Sequence, residues 1–477
     1  MPVRGRILPT ASVCLATLLP LSTVPGSAFA EERGAPVPSP TASVRAHLER
    51  LDEIADRNGG HRASGSEGYR ESLAYAETVL ERAGYHTERR PFRFLYTETL
   101  EERLTLADGT TRTVVLTGYS PSTPEGGLET TVAVPAGSGS ERQGCAPGDY
   151  AGTPVRDRVA LVVDGGCSLD DKQRVAADAG AAAVLVANDG PGELYGWLAR
   201  PQEARIPIAG VSRRTGEELA EEAARERPVT LAIRSLTEER VTENLIATGR
   251  TGDPEHTVVS GAHLDSVPEA PGINDNGVAV AVLLDTAVRM ARLPGGQRNR
   301  LVFALWGAEE FGMVGSRHYV RSLSPSARDD IELYLNLEMI GSPNHGLFVL
   351  DGTAPDEQTG AVPPPGSAEI EERLRDAFSA RGRTARPSGA EGRSDYAPFM
   401  EAGIPVGGLY GGSFETKTAE EAALWGGTAG EPYDACYHLP CDDIDNYSPA
   451  GAEAHRSAFA DVLGHFARHR LSSGGTP

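Results

Sequence analysis

The sequence predicts an α/β fold with a smaller second domain inserted towards its N-terminal side. After residue 240, apolar stretches of strand length alternate with segments of helical periodicity, which is typical of α/β domains. Between residues 120 and 236 the composition changes: Gly, Pro, Ser and Thr dominate first, and shorter strands and helices follow. The chain has 477 residues, enough for two or three domains.

The predicted elements run in chain order through a first part, an insertion and a second part of the main domain. Residues 31–119 carry helices at 43–55 and 67–83, the latter closed by Gly84, and strands at 89–96 and 113–116. Residues 120–236 carry strands at 159–163, 182–187 and 206–211 and helices at 170–179 and 215–224. Residues 237–477 carry strands at 244–247, 257–261, 300–305, 331–337 and 405–409 and helices at 277–291 and 451–468.

The first 30 residues have the pattern of a signal peptide. Arg4 and Arg6 precede an apolar run at 8–24, and Ala28-Phe29-Ala30 has the small-x-small pattern of a cleavage site. The run is too short and too interrupted by proline to span a membrane well. We expect cleavage near Ala30 and secretion; a lipid-modified Cys14 is the alternative.

The charge balance is strongly acidic, with a formal net charge of −22. An acidic surface disfavours nucleic acid and anionic membranes as partners. We therefore expect neither, and we expect a monomer.

Four cysteines remain after removal of the leader, in two local pairs. In an oxidising compartment the economical arrangement is two disulfides, Cys145–Cys167 and Cys436–Cys441. A zinc site built from all four is the competitor, but neither pair has the C-x-x-C spacing typical of such sites.

Three apolar strands of the second part lead into residue types that bind metals. His263 follows the strand at 257–261, Glu309 and Glu310 follow the strand at 300–305, and Glu338 follows the strand at 331–337. Carboxyl ends of strands in open α/β sheets form one edge, where active sites lie. These side chains can therefore converge although they are distant in sequence.

Each candidate also has a plainer interpretation. Asp275, between Gly272 and Gly277, is either a helix N-cap or a carboxylate that bridges two metal ions. Glu309 and Glu310 are either solvated surface acids or a metal ligand next to a general base. Glu338 can be a solvated strand-end acid.

Two further residues support the metal interpretation. Asp265 lies two residues after His263, where its carboxylate can hold the other ring nitrogen. His438 lies between Cys436 and Cys441, where a disulfide would hold it rigidly, although a lone histidine is more often structural.

Together and in this order, the motifs resemble those of the co-catalytic di-zinc aminopeptidase family, which includes secreted bacterial leucyl aminopeptidases and, more distantly, glutamate carboxypeptidase and transferrin receptor. The resemblance covers residues 241–470 and includes Gly261-Ala-His-Leu-Asp-Ser, Gly272-Ile-Asn-Asp-Asn-Gly, Trp306-Gly-Ala-Glu-Glu, Met339-Ile-Gly-Ser-Pro-Asn, Gly392-Arg-Ser-Asp, Trp425-Gly-Gly-Thr-Ala-Gly and Cys436-Tyr-His. The insertion resembles a protease-associated domain through Gly144-Cys145, Asp149-Tyr150, Val159-Ala-Leu-Val, Gly166-Cys167 and Lys172.

The resemblance implies a mixed, mainly parallel central sheet of the zinc-exopeptidase type flanked by helices, with two Zn²⁺ per chain. One zinc would be bound by His263, Asp275 and Glu338, and the other by Asp275, Glu310 and His438. Glu309 would be the catalytic base, Tyr437 would stabilise the oxyanion, and Met339, Gly392, Arg393 and Tyr410 would form the pocket for the first residue. The family also implies a cis peptide bond between Asp275 and Asn276.

This chain departs from the family at Glu338, where the relatives most similar to it usually have Asp. Glutamate is one methylene longer, so we expect either the strand or the mode of coordination to adjust. Some secreted relatives bind calcium, but no full set of calcium ligands matches here.

The activity implied is a secreted aminopeptidase that removes apolar, leucine-like residues from peptide or protein N-termini. A carboxypeptidase or dipeptidase on the same fold is one alternative, with Arg393 as the group that would hold a substrate carboxylate. A glutaminyl cyclase and a non-catalytic receptor-like ectodomain are others, and the complete set of candidate ligands argues against both.

Overall fold

The computed structural model describes residues 40–136, 142–190, 192–293, 296–355, 362–389 and 393–472. The expected signal peptide at 1–30, its cleavage near Ala30, and Gly392 lie outside the described residues.

The helices are α1 (Pro40–Arg57), α2 (Glu67–Ala83), α3 (Leu169–Asp178), α4 (Arg213–Ala224), α5 (Val278–Met290), α6 (Val314–Ser322), α7 (Pro325–Asp329), α8 (Ser367–Ser379), α9 (Tyr396–Glu401), α10 (Ala419–Trp425) and α11 (Pro449–Phe466). The strands are β1 (His86–Thr105), β2 (Thr111–Arg112), β3 (Val115–Leu116), β4 (Leu128–Ala133), β5 (Val159–Val163), β6 (Ala183–Ala187), β7 (Ile208–Val211), β8 (Pro228–Thr248), β9 (Asp253–His263), β10 (Asn299–Trp306), β11 (Ile331–Glu338), β12 (Phe348–Leu350), β13 (Arg386–Ser388) and β14 (Val406–Tyr410).

The main sheet has the strand order β13-β12-β14-β11-β9-β10-β8. The central strands β14, β11, β9 and β10 are mutually parallel, whereas β12 and β8 join antiparallel on either side of them. This arrangement confirms the predicted mixed, mainly parallel sheet.

Helices cover both faces of this sheet. A large apolar cluster joins α1, α2, α5, α8 and α11 to one face, and a second cluster joins α6 and α9 to the other. In α5 nearly every side chain is buried, because the helix lies between the sheet and its neighbours. Burial on both faces explains why the parallel strands are continuous apolar runs that the sequence reveals.

A long antiparallel ribbon of β1 and β8 connects the main sheet to the inserted domain. Its pairing extends from His86 opposite Thr248 to Thr105 opposite Thr230. The sequence predicted only the parts at 89–96 and 244–247, because the middle of the ribbon, at 98–103 and 234–243, is rich in charged residues; the buried apolar run at 229–233 was missed as well. Through β4, the ribbon continues into the parallel strands β5, β6 and β7 of the insertion.

Both predicted disulfides are present, Cys145–Cys167 and Cys436–Cys441. The first is supported by Lys172, a fully buried ammonium group that donates to the carbonyls of Gln143, Val163 and Gly165 at 2.7, 2.9 and 2.7 Å. Because all three carbonyls lie near this disulfide, one cation holds the loop together.

None of the helices in the described part of the chain is both long enough and apolar enough to cross a membrane.

Replacing Leu283 of α5 with alanine tests the packing of this core. The side chain is 1% exposed, so we expect the free energy of unfolding to fall by about 2–5 kcal/mol through lost burial and a cavity. Urea denaturation followed by tryptophan fluorescence measures the change. Leu424→Ala, at a residue 44% exposed, is the matched control and should change the free energy by less than about 0.5 kcal/mol; equal losses would contradict the described packing.

Candidate metal centre

The carboxyl ends of three adjacent parallel strands bring the predicted ligands together. Trp306 at the end of β10 lies opposite His263 at the end of β9, and Asn336 of β11 lies opposite Gly261. The turn after Trp306 then carries Glu309 and Glu310, and β11 ends at Glu338. The edge of the sheet is therefore where these side chains meet.

Two groups of three side chains form at this edge and share Asp275. In the first, Nε2 of His263 lies 3.2 Å from Oδ1 of Asp275 and 3.3 Å from Oε1 of Glu338. In the second, Nε2 of His438 lies 3.1 Å from Oδ2 of Asp275 and 3.2 Å from Oε2 of Glu310. Each imidazole thus faces its own oxygen of one carboxylate.

The donor atoms of both groups suit divalent ions. Nε2 of His438 and Oε1 of Glu310 are buried and form no hydrogen bond of good geometry, although Nε2 of His438 lies close to the carboxylates of Asp275 and Glu310. Leaving buried polar atoms without a well-directed hydrogen bond is costly, and ligation would offset that cost. Imidazole nitrogen together with carboxylate oxygen is a ligand set that zinc accepts.

The turn that carries Asp275 is fixed from two sides. The amide groups of Asn274 and Asp275 donate to the carboxylate of Asp442 at 2.7 and 3.0 Å. On the other side, Asn276 donates to the carbonyl of Leu337 and accepts from the amide of Met339. The Asp275–Asn276 peptide bond is cis, as expected. Asp275 is not a helix cap, because α5 begins three residues later at Val278 without a side-chain cap.

The pKa values reflect this concentration of charge. Burial opposes the charged form of His438, but Glu310 and Asp275 outweigh it and raise its pKa to about 10. Burial raises the pKa of Glu309 well above its usual range; His263 opposes the shift, and Asp395 and Glu338 add to it. Oε2 of Glu309 lies 3.9 Å from Nε2 of His263, beside the first group rather than within it.

Asp265 differs from the expectation in the atom it uses. The Nδ1 atom of His263 lies 3.0 Å from the main-chain carbonyl of Asp265, whereas the nearer carboxylate oxygen is 3.8 Å away. That oxygen accepts instead from the amide of Glu309 at 3.3 Å. The residue therefore orients the imidazole through its backbone and the Glu309 turn through its side chain.

Glu338 reaches the site despite its extra methylene, and a chain of hydrogen bonds holds it there. Trp306 donates to the hydroxyl of Tyr334 at 2.9 Å, which donates to Asn336 at 2.9 Å. Asn336 donates to Ser394 at 2.8 Å, and Ser394 donates to Oε2 of Glu338. This leaves Oε1 of Glu338 directed at His263.

Arg62 is a structural neighbour of the site that the sequence did not reveal. Its fully buried guanidinium donates to three carbonyls of one loop. It lies 3.0 Å from that of Pro271 and 2.6 Å from that of Gly272, and it also donates to that of Leu264. It thereby closes the loop between His263 and Asp275. The only signal in the sequence was a basic residue between glycine-rich turns.

The disulfide loop is joined to the Asp275 turn by two further missed residues. Asp434 accepts from the side chain of Asn274 at 2.6 Å, and Asp442 accepts from the turn amides described above. Both flank the Cys436–Cys441 pair, which is the one feature that could have drawn attention to them.

A cavity of about 340 Å³ opens beside the two groups. Of the residues expected to bind substrate, Met339, Arg393 and Tyr410 line it, and Gly392 lies outside the described residues. Tyr437 lines it as well, with its ring stacked on His438 at 3.8 Å between centroids.

Comparison with known proteins places this site in a family. The model of peptidase family M28 matches residues 244–463, and the model of the PA domain matches residues 129–219. The chain is 38% identical over 442 residues to the probable lipoprotein aminopeptidase LpqL of Mycobacterium tuberculosis. The aligned region covers 92% of this chain and 87% of that protein. It is 36% identical to an aminopeptidase of Pseudomonas aeruginosa, over 95% of this chain and 84% of the relative.

The fold is also that of a solved aminopeptidase from Aneurinibacillus sp. strain AM-1. The TM-score is 0.70 at 24% identity, over 92% of this chain and 96% of the other. Because relatives at more than 30% identity match over almost the whole chain, the protein belongs to peptidase family M28 and contains a PA domain.

Proposed function

We propose that the protein is an exported, zinc-dependent aminopeptidase. The observation that carries the proposal is the pair of ligand groups that share Asp275, with Glu309 beside them in the lining of the cavity. Both sequence relatives described above are named aminopeptidases.

We assign one zinc to His263, Asp275 and Glu338 and a second to Asp275, Glu310 and His438. Bound there, two zinc ions would supply Lewis acidity and make a water molecule acidic enough to attack an amide at neutral pH. The carboxylate of Asp275 faces an imidazole with each of its oxygens, so it suits a bridging role.

Glu309 is the proton carrier in this proposal. Its carboxylate is buried at the site and tied to neither ligand group, and burial raises its pKa, so the ionised carboxylate is a stronger base than an exposed one. It can take a proton from the attacking water at Oε2 and pass it to the leaving amine. The hydroxyl of Tyr437 would donate to the carbonyl oxygen as negative charge develops there.

The cavity receives the side chain of the first residue. Its walls include Met339, Phe348 and Leu350, so an apolar side chain such as leucine gains contact there. The free amino group of the substrate would face the carboxylates at the sheet edge. An acylated amine lacks that positive charge, which restricts cleavage to unblocked N-termini.

Export and the insertion complete the proposal. The leader pattern at 1–30 and two disulfides support export. We infer that the PA domain extends over residues 120–236, between the parts of the peptidase domain at 31–119 and 237–477, and shapes access to the cavity.

Glu309→Gln tests the proposed base. The variant keeps the shape of the side chain but cannot accept the proton, so kcat for leucine 4-nitroanilide should fall about 10³-fold. Metal chelation should abolish the activity, and N-acetyl-leucine 4-nitroanilide should not be cleaved. Glu401→Gln, an exposed acid paired with Arg317, is the control and should retain full activity. Absence of cleavage of every free-amine substrate by zinc-loaded native protein would refute an aminopeptidase.

Metal content tests the two ligand groups separately. We expect two zinc ions per native chain and one in each of His263→Ala and His438→Ala, because each substitution removes the imidazole of one group. Elemental analysis after dialysis measures the ratio. His469→Ala, at an exposed surface histidine, should keep two; a single ion in the native protein would contradict the assignment.

A further inference from the structure

Two carboxylates line the cavity away from the metal centre, and their surroundings differ. Glu421 accepts from the amide and hydroxyl of Thr418 at 2.8 and 2.7 Å at the start of α10. Arg386 lies 4.0 Å from it. Glu421 therefore caps a helix and has a cation nearby, so its charge is largely offset.

Glu415 has only neutral hydrogen-bond donors. The hydroxyl of Tyr410 lies 3.0 and 2.9 Å from its two oxygens, and Ser413 donates to it through its amide at 2.9 Å and its hydroxyl at 2.8 Å. Among the described residues, no arginine, lysine or histidine side chain forms an ion pair with the Glu415 carboxylate. The side chain is half-buried, so its charge is only partly screened by water.

Tyr410 connects Glu415 to the end of the cavity next to the metal centre. Its main chain lies opposite Glu338 in the pairing of β14 with β11, and its hydroxyl reaches Glu415. The carboxylate of Glu415 therefore lies about one tyrosine side chain from the backbone at the end of β14, in the cavity that Glu338 also lines. A lysine or arginine side chain whose backbone sits at the metal centre has a comparable reach.

Aromatic rings line the cavity that also holds Glu415. The ring of Phe348 lies 5.9 Å from that of Tyr410 and 5.5 Å from that of Tyr433. These rings offer contact to a methylene chain and their faces attract a cation. The one cation among the described cavity-lining residues, Arg393, already has a partner.

We propose that Glu415 makes this cavity a pocket for long cationic side chains, so that N-terminal lysine and arginine are accepted as well as leucine. The aliphatic stem would lie along Phe348 and Tyr410, and the charged end would meet the carboxylate of Glu415. This inference rests on the proposed aminopeptidase activity and adds a class of substrate to it.

The test compares substrates that differ by a charge. Lysine and norleucine 4-nitroanilides share a four-carbon stem, and lysine adds the ammonium group. Glu415→Gln should lower the ratio of kcat/KM for lysine to that for norleucine about tenfold, while cleavage of norleucine shows that the variant is folded. Raising the ionic strength should reduce the ratio in the native enzyme and not in the variant.

Glu420→Gln is the matched control. It removes one negative charge from the neighbouring helix, where the carboxylate is 76% exposed and pairs with Arg386 outside the cavity lining, so the ratio should stay within twofold of native. An unchanged ratio in Glu415→Gln would overturn the proposal. So would an equal loss for both substrates, because Glu415 would then serve only to orient Tyr410.

Binding of the free amino acids separates this proposal from the activity on which it rests. Calorimetry with L-lysine and L-norleucine should show that Glu415→Gln weakens lysine binding about tenfold and leaves norleucine binding unchanged. If native protein cleaves norleucine anilide but its lysine binding does not depend on Glu415, the specificity proposal alone fails. If no anilide is cleaved, the aminopeptidase function fails, and the calorimetry still decides the role of Glu415.

Discussion

The structure around the site depends on one electrostatic constraint: Asp275, Glu309, Glu310 and Glu338 are held together at the edge of the sheet with little access to water. Burial of like charges in close proximity is costly unless opposite charge or ligation compensates for it. His263 and His438 supply nitrogen atoms within 4 Å of these carboxylates. Arg62 adds a buried cation close to Asp265, Asp442 and Asp275. A pair of zinc ions would complete the compensation.

The backbone near these ligands takes conformations that the surrounding contacts must enforce. Ala308, Met339 and His438 all have positive φ values, of 53°, 44° and 58°, and each adjoins or is a proposed site residue. Residues with a side chain rarely adopt this conformation, and it persists where neighbouring structure over-determines it. At Met339 that determination comes from Asn276, which accepts from its amide. These turns thus orient the proposed ligands, and contacts with neighbouring residues hold the turns in place.

The inserted domain is not an isolated appendage of the chain. The β1–β8 ribbon joins the two sheets without a break in its pairing over most of its length. Tyr119, directly before the insertion, adds a second link, since its hydroxyl lies 2.9 Å from the carbonyl of Leu95 and 3.2 Å from that of Phe311, the residue after Glu310. A displacement of the insertion would therefore act on the backbone next to Glu310, a proposed metal ligand.

The sequence by itself determined the α/β class, the main apolar strands, the two disulfides and the residues that could bind metal. These follow from local patterns, because parallel strands buried on both faces are continuous apolar runs and the chemistry of a ligand is a property of its residue type. The family resemblance also indicated which residues share a group.

Only the tertiary structure decided how the site is supported. Arg62 lies some 200 residues from the carbonyls it binds, and Ser394 holds Glu338 across a gap of 56 residues. The turn of Tyr410, Ser413 and Glu415 is local, within five residues, but only the pairing of β14 with β11 places it beside the metal centre. The same holds for the long β1–β8 ribbon. These features depend on contacts between distant segments, and such contacts exist only once the sheet has brought its carboxyl edge together.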